Sequence, residues 1–290
     1  MDKNLLQRSL SGLLYGALII CCTTPLASIF LPQGALIKPF HLYYGLMTLL
    51  LLLGLYEGVR VMKFSQGWHR MIVVPVVLTI YFLFSRRYFT GGFNYQPDLT
   101  DILSISLVGV AAATILFFTS ELNSEFNKVV LLVLYLALPF GFALGLPSFG
   151  PDIALTLEAF MLFLLIWSSD SFAFFTGKFF GKHKMAPAIS PNKTWEGFAG
   201  GAILTLAMGY LINLNFPDLR GNWIIVGALV ALFAPLGDLI ESKLKRHFEV
   251  KDSGNIIPGH GGILDRLDSF IICAPIVYLY FIIDYILVLK

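Results

Sequence analysis

The sequence predicts an all-α polytopic membrane protein of about nine transmembrane helices with its amino terminus in the cytoplasm. Three observations carry that prediction. Hydrophobic residues make up 57% of the 290 and charged residues only 13%, whereas roughly a quarter of a soluble domain is charged. The mean hydropathy of +0.78 supplies more apolar side chains than the interior of a soluble globule this size could hold. Finally, the apolar residues fall into runs of membrane-spanning length, and the basic residues divide unevenly between the segments that separate them.

A hydrocarbon core of about 30 Å needs about 20 mainly apolar residues per helix. Nine stretches qualify, at about 10–31, 41–59, 71–85, 101–119, 129–147, 153–174, 195–214, 222–240 and 269–289. Lys3 and Arg8 precede the first, as in a signal peptide, but its length and the lack of an Ala-x-Ala-like site favour a retained span. With the amino terminus inside, 15 of the 20 Lys and Arg fall on the cytoplasmic side and 5 outside, the bias expected of a membrane protein. The carboxyl terminus is then outside. Cytoplasmic loops are expected at 175–194 and 241–268. Residues 1–150 carry spans without a motif, and 151–290 form the region with chemical information.

Composition excludes an ordinary soluble enzyme. The net charge of +2 is the small difference between 20 basic and 18 acidic residues and says nothing about nucleic acid. Cys21, Cys22 and Cys273 all lie in apolar stretches without metal-site spacing. No sequence repeat suggests an inverted-repeat transporter.

In the first loop, Ser190-Pro191 fits an N-cap followed by proline at the first helical position. That would place Lys193 in the first turn of the seventh span, where free N–H groups and the helix dipole favour an anion. The plainer alternative is a capped helix with a positive-inside lysine. Asp170, near the cytoplasmic end of the sixth span, is either hydrated at the interface or held by a cation.

The second loop is denser, with 10 charged residues among the 28 from Glu241 to Asp268. If the eighth span continues through Arg246, then Asp238, Glu241, Ser242 and Lys245 share one helical face. Asp265 and Asp268 form a similar pair if the ninth helix begins near Asp265. Such carboxylates suit Mg²⁺, which prefers one or two of them plus substrate phosphates. Lys243, Lys245, Arg246, Lys251 and Arg266 add positive charge for a polyanion. Gly259, Gly261 and Gly262 allow either a tight turn or close backbone approach. His260 is a phosphate donor or a turn residue before it is a metal ligand, because no other histidine has zinc-like spacing to it.

The run from Ser242 to Asp268, Ser-x-Leu-Lys-Arg-x4-Lys-Asp-x-Gly-x2-Ile-Pro-x-His-Gly-Gly-x2-Asp-Arg-x-Asp, resembles the signature of the phosphatidate cytidylyltransferases, or CDP-diacylglycerol synthases. Gly237-Asp238 and Ser190-Pro191-x-Lys193-Thr194-Trp195 resemble that family too, so the motifs cover roughly 167–270. The resemblance implies a nucleotidyltransferase of phospholipid biosynthesis in a bacterial plasma membrane, its active site at the cytoplasmic interface. It would convert CTP and phosphatidate to CDP-diacylglycerol and pyrophosphate with Mg²⁺, alone or with a second cation. Asp238, Asp265, Lys193, Lys251 and Asp268 are the implied catalytic residues. Asp238, Asp265, Glu241 and Asp268 are the implied metal ligands. Substrate would be held by Ser190, Lys193, Thr194, Ser242, Lys245, Arg246, Lys251, Asp252, His260, Gly261, Gly262 and Arg266. Expected partners are the two substrates and the lipid bilayer, no nucleic acid, and a second copy in a homodimer. A CTP-dependent lipid kinase and, more distantly, a transporter are the competing readings.

Overall fold

The computed structural model describes residues 3–29, 31, 36–65, 67–89, 106, 109, 110, 113, 122–147 and 155–288. Its long helices are α1 (Lys3–Thr23), α2 (Pro39–Val61), α3 (Gly67–Phe89), α4 (Glu125–Ala143), α5 (Glu158–Phe180), α6 (Trp195–Asn215), α7 (Trp223–His247) and α8 (Asp268–Val288). Six of these, α2 and α4 to α8, are long and apolar enough to cross a membrane. α1 and α3 have shorter apolar cores, Ser9–Thr23 and Gly67–Leu83. The span expected at 101–119 lies almost wholly outside the described residues. The chain is therefore an all-α polytopic membrane protein.

Burial distinguishes the centre of the bundle from its rim. Two-thirds of the apolar window of α4 is buried, against 28% for α6, whose remaining surface of Ile203, Tyr210, Leu211 and Leu214 faces outward. α2 and α8 pack centrally, through fully buried Tyr43, Met47 and Leu51 on one and Phe270 on the other. Phe270 stacks on Phe163 of α5 with ring centroids 4.4 Å apart. Within α4 the helix widens to π geometry over Val133–Ala137. Pro139, which has no N–H for a helical hydrogen bond, follows two residues on, and such a bulge absorbs the clash that its ring makes with the preceding turn.

Polar contacts identify the two ends of the bundle. At one, Lys128 donates to Glu125 (2.7 Å) and to the Lys63 carbonyl, and His247 meets Asn123. At the other, Arg220 donates to the carbonyls of Gly145 and Leu146 and lies 4.4 Å over the Phe281 ring.

Two expectations change. α5 runs to Phe180 and α7 to His247, so the connecting segments are 181–194 and 248–267, shorter than the 175–194 and 241–268 expected. Charge ends the lipid-compatible stretch but not the helix, because the polar residues of α7 pair at i,i+4 within it. Asp170 sits ten residues before the end of α5, about 15 Å along its axis, so the helix continues past it beyond the expected span.

The second change concerns Ser190–Thr194, which is not the start of a helix. It is a strand, β2, paired antiparallel with β1 (Lys184–Ala186). Thr194 is the N-cap instead, its hydroxyl accepting from Gly197 N at 3.1 Å. Glu196 holds the hairpin's other arm by accepting from Lys182 N at 3.0 Å and from His183 N. Lys193 therefore lies on a strand and not in the first turn of α6.

Exposed Asp218 and Asn255 lie in the segments on either side of α7. In a background without the native cysteines, Asn255→Cys should be protected from an impermeant thiol reagent in sealed right-side-out vesicles and Asp218→Cys labelled. The reverse pattern would invert the cytoplasmic assignment.

Candidate active site

The polar stripe of α7 forms as the spacing requires. Ser242 Oγ donates to Asp238 Oδ1 at 3.1 Å, and Lys245 Nζ to Glu241 Oε2 at 3.1 Å. Asp238 is also reached from the hairpin, since Lys193 Nζ lies 2.8 Å from its Oδ2 and donates to the Pro235 carbonyl at 3.0 Å. The next turn of contact comes from α8. A Cβ at Gly237 would fall 2.5 Å from the Asp268 carbonyl oxygen and 2.8 Å from Ser269 Cα, so only glycine lets these helices meet here. Ser269 Oγ fastens the crossing by donating to the Ala234 carbonyl at 2.9 Å. Asp268 is thereby brought within electrostatic reach of Asp238 and Asp170.

The segment 248–267 folds back on α7 through Asp265. This carboxylate accepts from Lys245 Nζ at 2.6 Å, from Gly262 N at 2.8 Å and from Ser253 N at 3.1 Å. Burial pushes the Asp265 carboxyl up, but the Lys245 ammonium and the two amides outweigh it and hold it below the usual carboxylate range. The glycine turn closes with Ile257 N donating to Gly261 O at 3.0 Å, and Gly259 and Gly261 adopt φ of +77° and +90°. Arg266 donates to the His260 carbonyl at 2.7 Å, and His260 Nδ1 lies 2.9 Å from Ser11 Oγ of α1.

These parts enclose a cavity of about 350 Å³. Asp170, Asp265, Asp268, Arg266 and His260 give it a polar wall, while Gly12, Tyr15 and Gly16 of α1 and Trp167 of α5 give it an apolar one. Asp170 lies within electrostatic reach of Asp238, Lys193 and Arg266. Among the described residues no three acidic, histidine or cysteine side chains converge tightly enough to cage a metal alone. Hard carboxylate oxygens gathered without a cage fit Mg²⁺, which takes one or two carboxylates and completes its shell with phosphate and water.

The expected residues do not all share the cavity. Glu241 gives one oxygen to Lys245, and its other, beside Leu132, Tyr135 and Leu136, is buried without a hydrogen-bond partner among the described residues. Lys245 divides its ammonium between Glu241 and Asp265. Arg246 donates to the Val250 carbonyl, and Lys251 and Asp252 are exposed on the loop. Ser190 is half-buried on β2, and Thr194 is spent on its cap.

A model of the cytidylyltransferase family matches residues 17–284. The chain belongs to the cytidylyltransferase family. Its relatives include the phosphatidate cytidylyltransferase of Bacillus subtilis (strain 168), 39% identical over 189 residues that cover 63% of this chain and 70% of that protein. The phosphatidate cytidylyltransferase of Staphylococcus aureus (strain COL) is 52% identical over 120 residues, 39% of this chain and 45% of its own length. That of Staphylococcus haemolyticus (strain JCSC1435) is 51% identical over 117 residues, with the same coverage. The match thus spans less than half of the staphylococcal proteins. As a member of this family the chain is a nucleotidyltransferase, and with bacterial relatives and apolar helices it is a multi-pass bacterial membrane protein.

Reading this family member from its sequence overlooked residues of the first two helices. Tyr15 lines the cavity from α1, Ser11 of the same helix meets His260, and Glu57 of α2 touches the loop 248–267. Glu57 alone carried a signal, as a carboxylate inside a 23-residue apolar helix.

Asp265→Asn keeps the shape of the side chain but removes the charge that Lys245 neutralises. In steady-state assays kcat/KM should fall at least ~100-fold, or ~2.7 kcal/mol. Asp284→Asn, distant on α8, should stay within a few-fold of wild type. Equal activity in the Asp265 variant would remove this carboxylate from the site.

Proposed function

We propose that this chain is a phosphatidate cytidylyltransferase, joining CTP and phosphatidate into CDP-diacylglycerol with release of pyrophosphate at the cytoplasmic membrane surface. One observation carries the reading. One cavity among apolar helices is polar where the loop 248–267, Asp268 of α8 and Asp170 of α5 line it, and apolar where α1 and Trp167 do. This suits a reaction between a water-soluble triphosphate and a lipid whose phosphate sits at the interface. The relatives' name supports the same choice of substrates.

In this mechanism a phosphatidate oxygen attacks the α-phosphorus of CTP in line. The new P–O bond forms as the bond to the bridging oxygen breaks, and pyrophosphate carries away the electron pair. A phosphomonoester with a second pKa of about 6 is largely dianionic at neutral pH, so no general base is needed. The protein's work is positioning and charge neutralisation. Asp238 and Asp268, joined by Asp265 where its lone pairs stay open, would hold Mg²⁺, which when bound neutralises triphosphate charge, alone or with a second cation.

Arg266 and His260 on the cavity wall, with Lys193 beside Asp238, receive phosphate oxygens. Lys251, Arg246 and Asp252 approach the nucleotide from the loop. Lys245 acts on Asp265 and Glu241 rather than on substrate, and Ser242 orients Asp238. Ser190 and Thr194 hold the strand that delivers Lys193. Gly261 and Gly262 let the loop backbone approach its ligands closely. The bilayer supplies phosphatidate.

With [α-³²P]CTP, phosphatidate and Mg²⁺, the purified protein should transfer label to lipid, and mass spectrometry should identify CDP-diacylglycerol. Label reaching lipid only from [γ-³²P]CTP would make the protein a kinase. Lys193→Ala should lower turnover at least ~100-fold with unchanged protein yield. Lys193→Arg should be strongly impaired too, because a planar fork cannot replace a compact ammonium seated between Pro235 O and Asp238. Near-wild-type turnover in both variants would leave Lys193 as a topology anchor only.

A further inference from the structure

The loop that carries Asp265 is held from below by a residue of the otherwise motif-free amino-terminal half. Glu57 of α2 is 1% exposed. Its Oε2 accepts from Ser253 Oγ at 3.0 Å and from Leu264 N at 3.0 Å, joining the two arms of the loop 196 and 207 residues away in sequence. The backbone of both arms lies directly on the carboxylate. A Cβ at Gly254 would fall 2.3 Å from Glu57 Oε1, and one at Gly262 would fall 2.6 Å from Oε2.

The same two arms donate to Asp265. Ser253 sends its hydroxyl to Glu57 and its amide to Asp265, while Gly262 N goes to Asp265 and Leu264 N to Glu57. Two carboxylates thus pin one crossing of the loop. A carboxylate buried inside an apolar helix, with its Oε1 lacking a hydrogen-bond partner among the described residues, carries a desolvation cost that two hydrogen bonds from the loop offset only in part. We infer that Glu57 is a positioning residue for the cytidylyl-transfer site, setting the register of the loop so that Asp265 meets Lys245 and the Arg266–His260 wall faces the cavity. This rests on the function proposed above.

The test uses the full chain in detergent, with CDP-diacylglycerol formation followed over a range of CTP concentrations, thermal unfolding, and hydrogen exchange of residues 250–266. Glu57→Leu, which strands the buried Ser253 hydroxyl and Leu264 amide, should unfold below the wild-type temperature but stay folded under assay conditions, and lose at least ~100-fold in kcat/KM for CTP. Glu57→Gln, which retains a carbonyl acceptor for Ser253 and Leu264, should stay within ~10-fold of wild type. Ser253→Ala should lose about 10-fold with its unfolding temperature unchanged. Loop exchange should rise in Glu57→Leu but not in Glu57→Gln, whatever reaction the protein catalyses. A wild-type protein that forms no CDP-diacylglycerol would therefore overturn the function while exchange still judged the loop. Wild-type kinetics and exchange in folded Glu57→Leu would overturn the positioning role. If that variant does not fold, wild-type kinetics in Ser253→Ala would do so.

Discussion

The contact on which the site depends is the ion pair between Lys245 and Asp265. Both side chains are only 12% exposed, so water screens their attraction weakly. Lys245 comes from the last turns of α7 and Asp265 from the far end of the loop, so the pair converts a flexible connection into a fixed wall. Removing one partner of such a buried pair costs about 3–5 kcal/mol, because the survivor is left charged and unmatched. Here the survivors would be crowded. Without Lys245, Glu241 and Asp265 would face each other, and without Asp265 the amides of Ser253 and Gly262 would lose their acceptor.

A second constraint is that the polar site must exist inside an apolar bundle. Each carboxylate is placed by close backbone contact or by a partner from a different element. Gly237 lets α7 and α8 touch, which puts Asp238 near Asp268, and the hairpin brings Lys193 across to Asp238. Asp170, deep along α5, is tolerable because it lines a cavity rather than lipid. The site is therefore assembled from α1, α5, α7, α8, the hairpin and the loop, with α2 beneath it. No single segment of the chain contains it.

Much of this was legible in advance. Span length and composition predict the helices, since the cost of placing a backbone or side chain in lipid depends on local sequence. The i,i+4 spacing of Asp238, Ser242, Glu241 and Lys245 predicts their pairing, because a helix makes such neighbours whatever surrounds it. The loop motif predicts the family. Ser190-Pro191 suits a helix cap as well as a strand, so its sequence does not place the helix start; Thr194 wins because the hairpin with Lys184–Ala186 and the grip of Glu196 on Lys182 and His183 fix the chain up to it.

By itself the sequence determined an all-helical membrane protein, its basic asymmetry, one polar helical stripe and the loop that carries the motif. These follow from interactions within a few residues or from transfer between water and lipid. Only the tertiary structure decided that Lys193 reaches Asp238 from a strand, that Lys245 is consumed by two carboxylates, that α1 walls the cavity, and that Glu57 grips a loop about 200 residues away. Those are contacts between distant segments, and the packing of helix on helix, which no local period encodes, selects them.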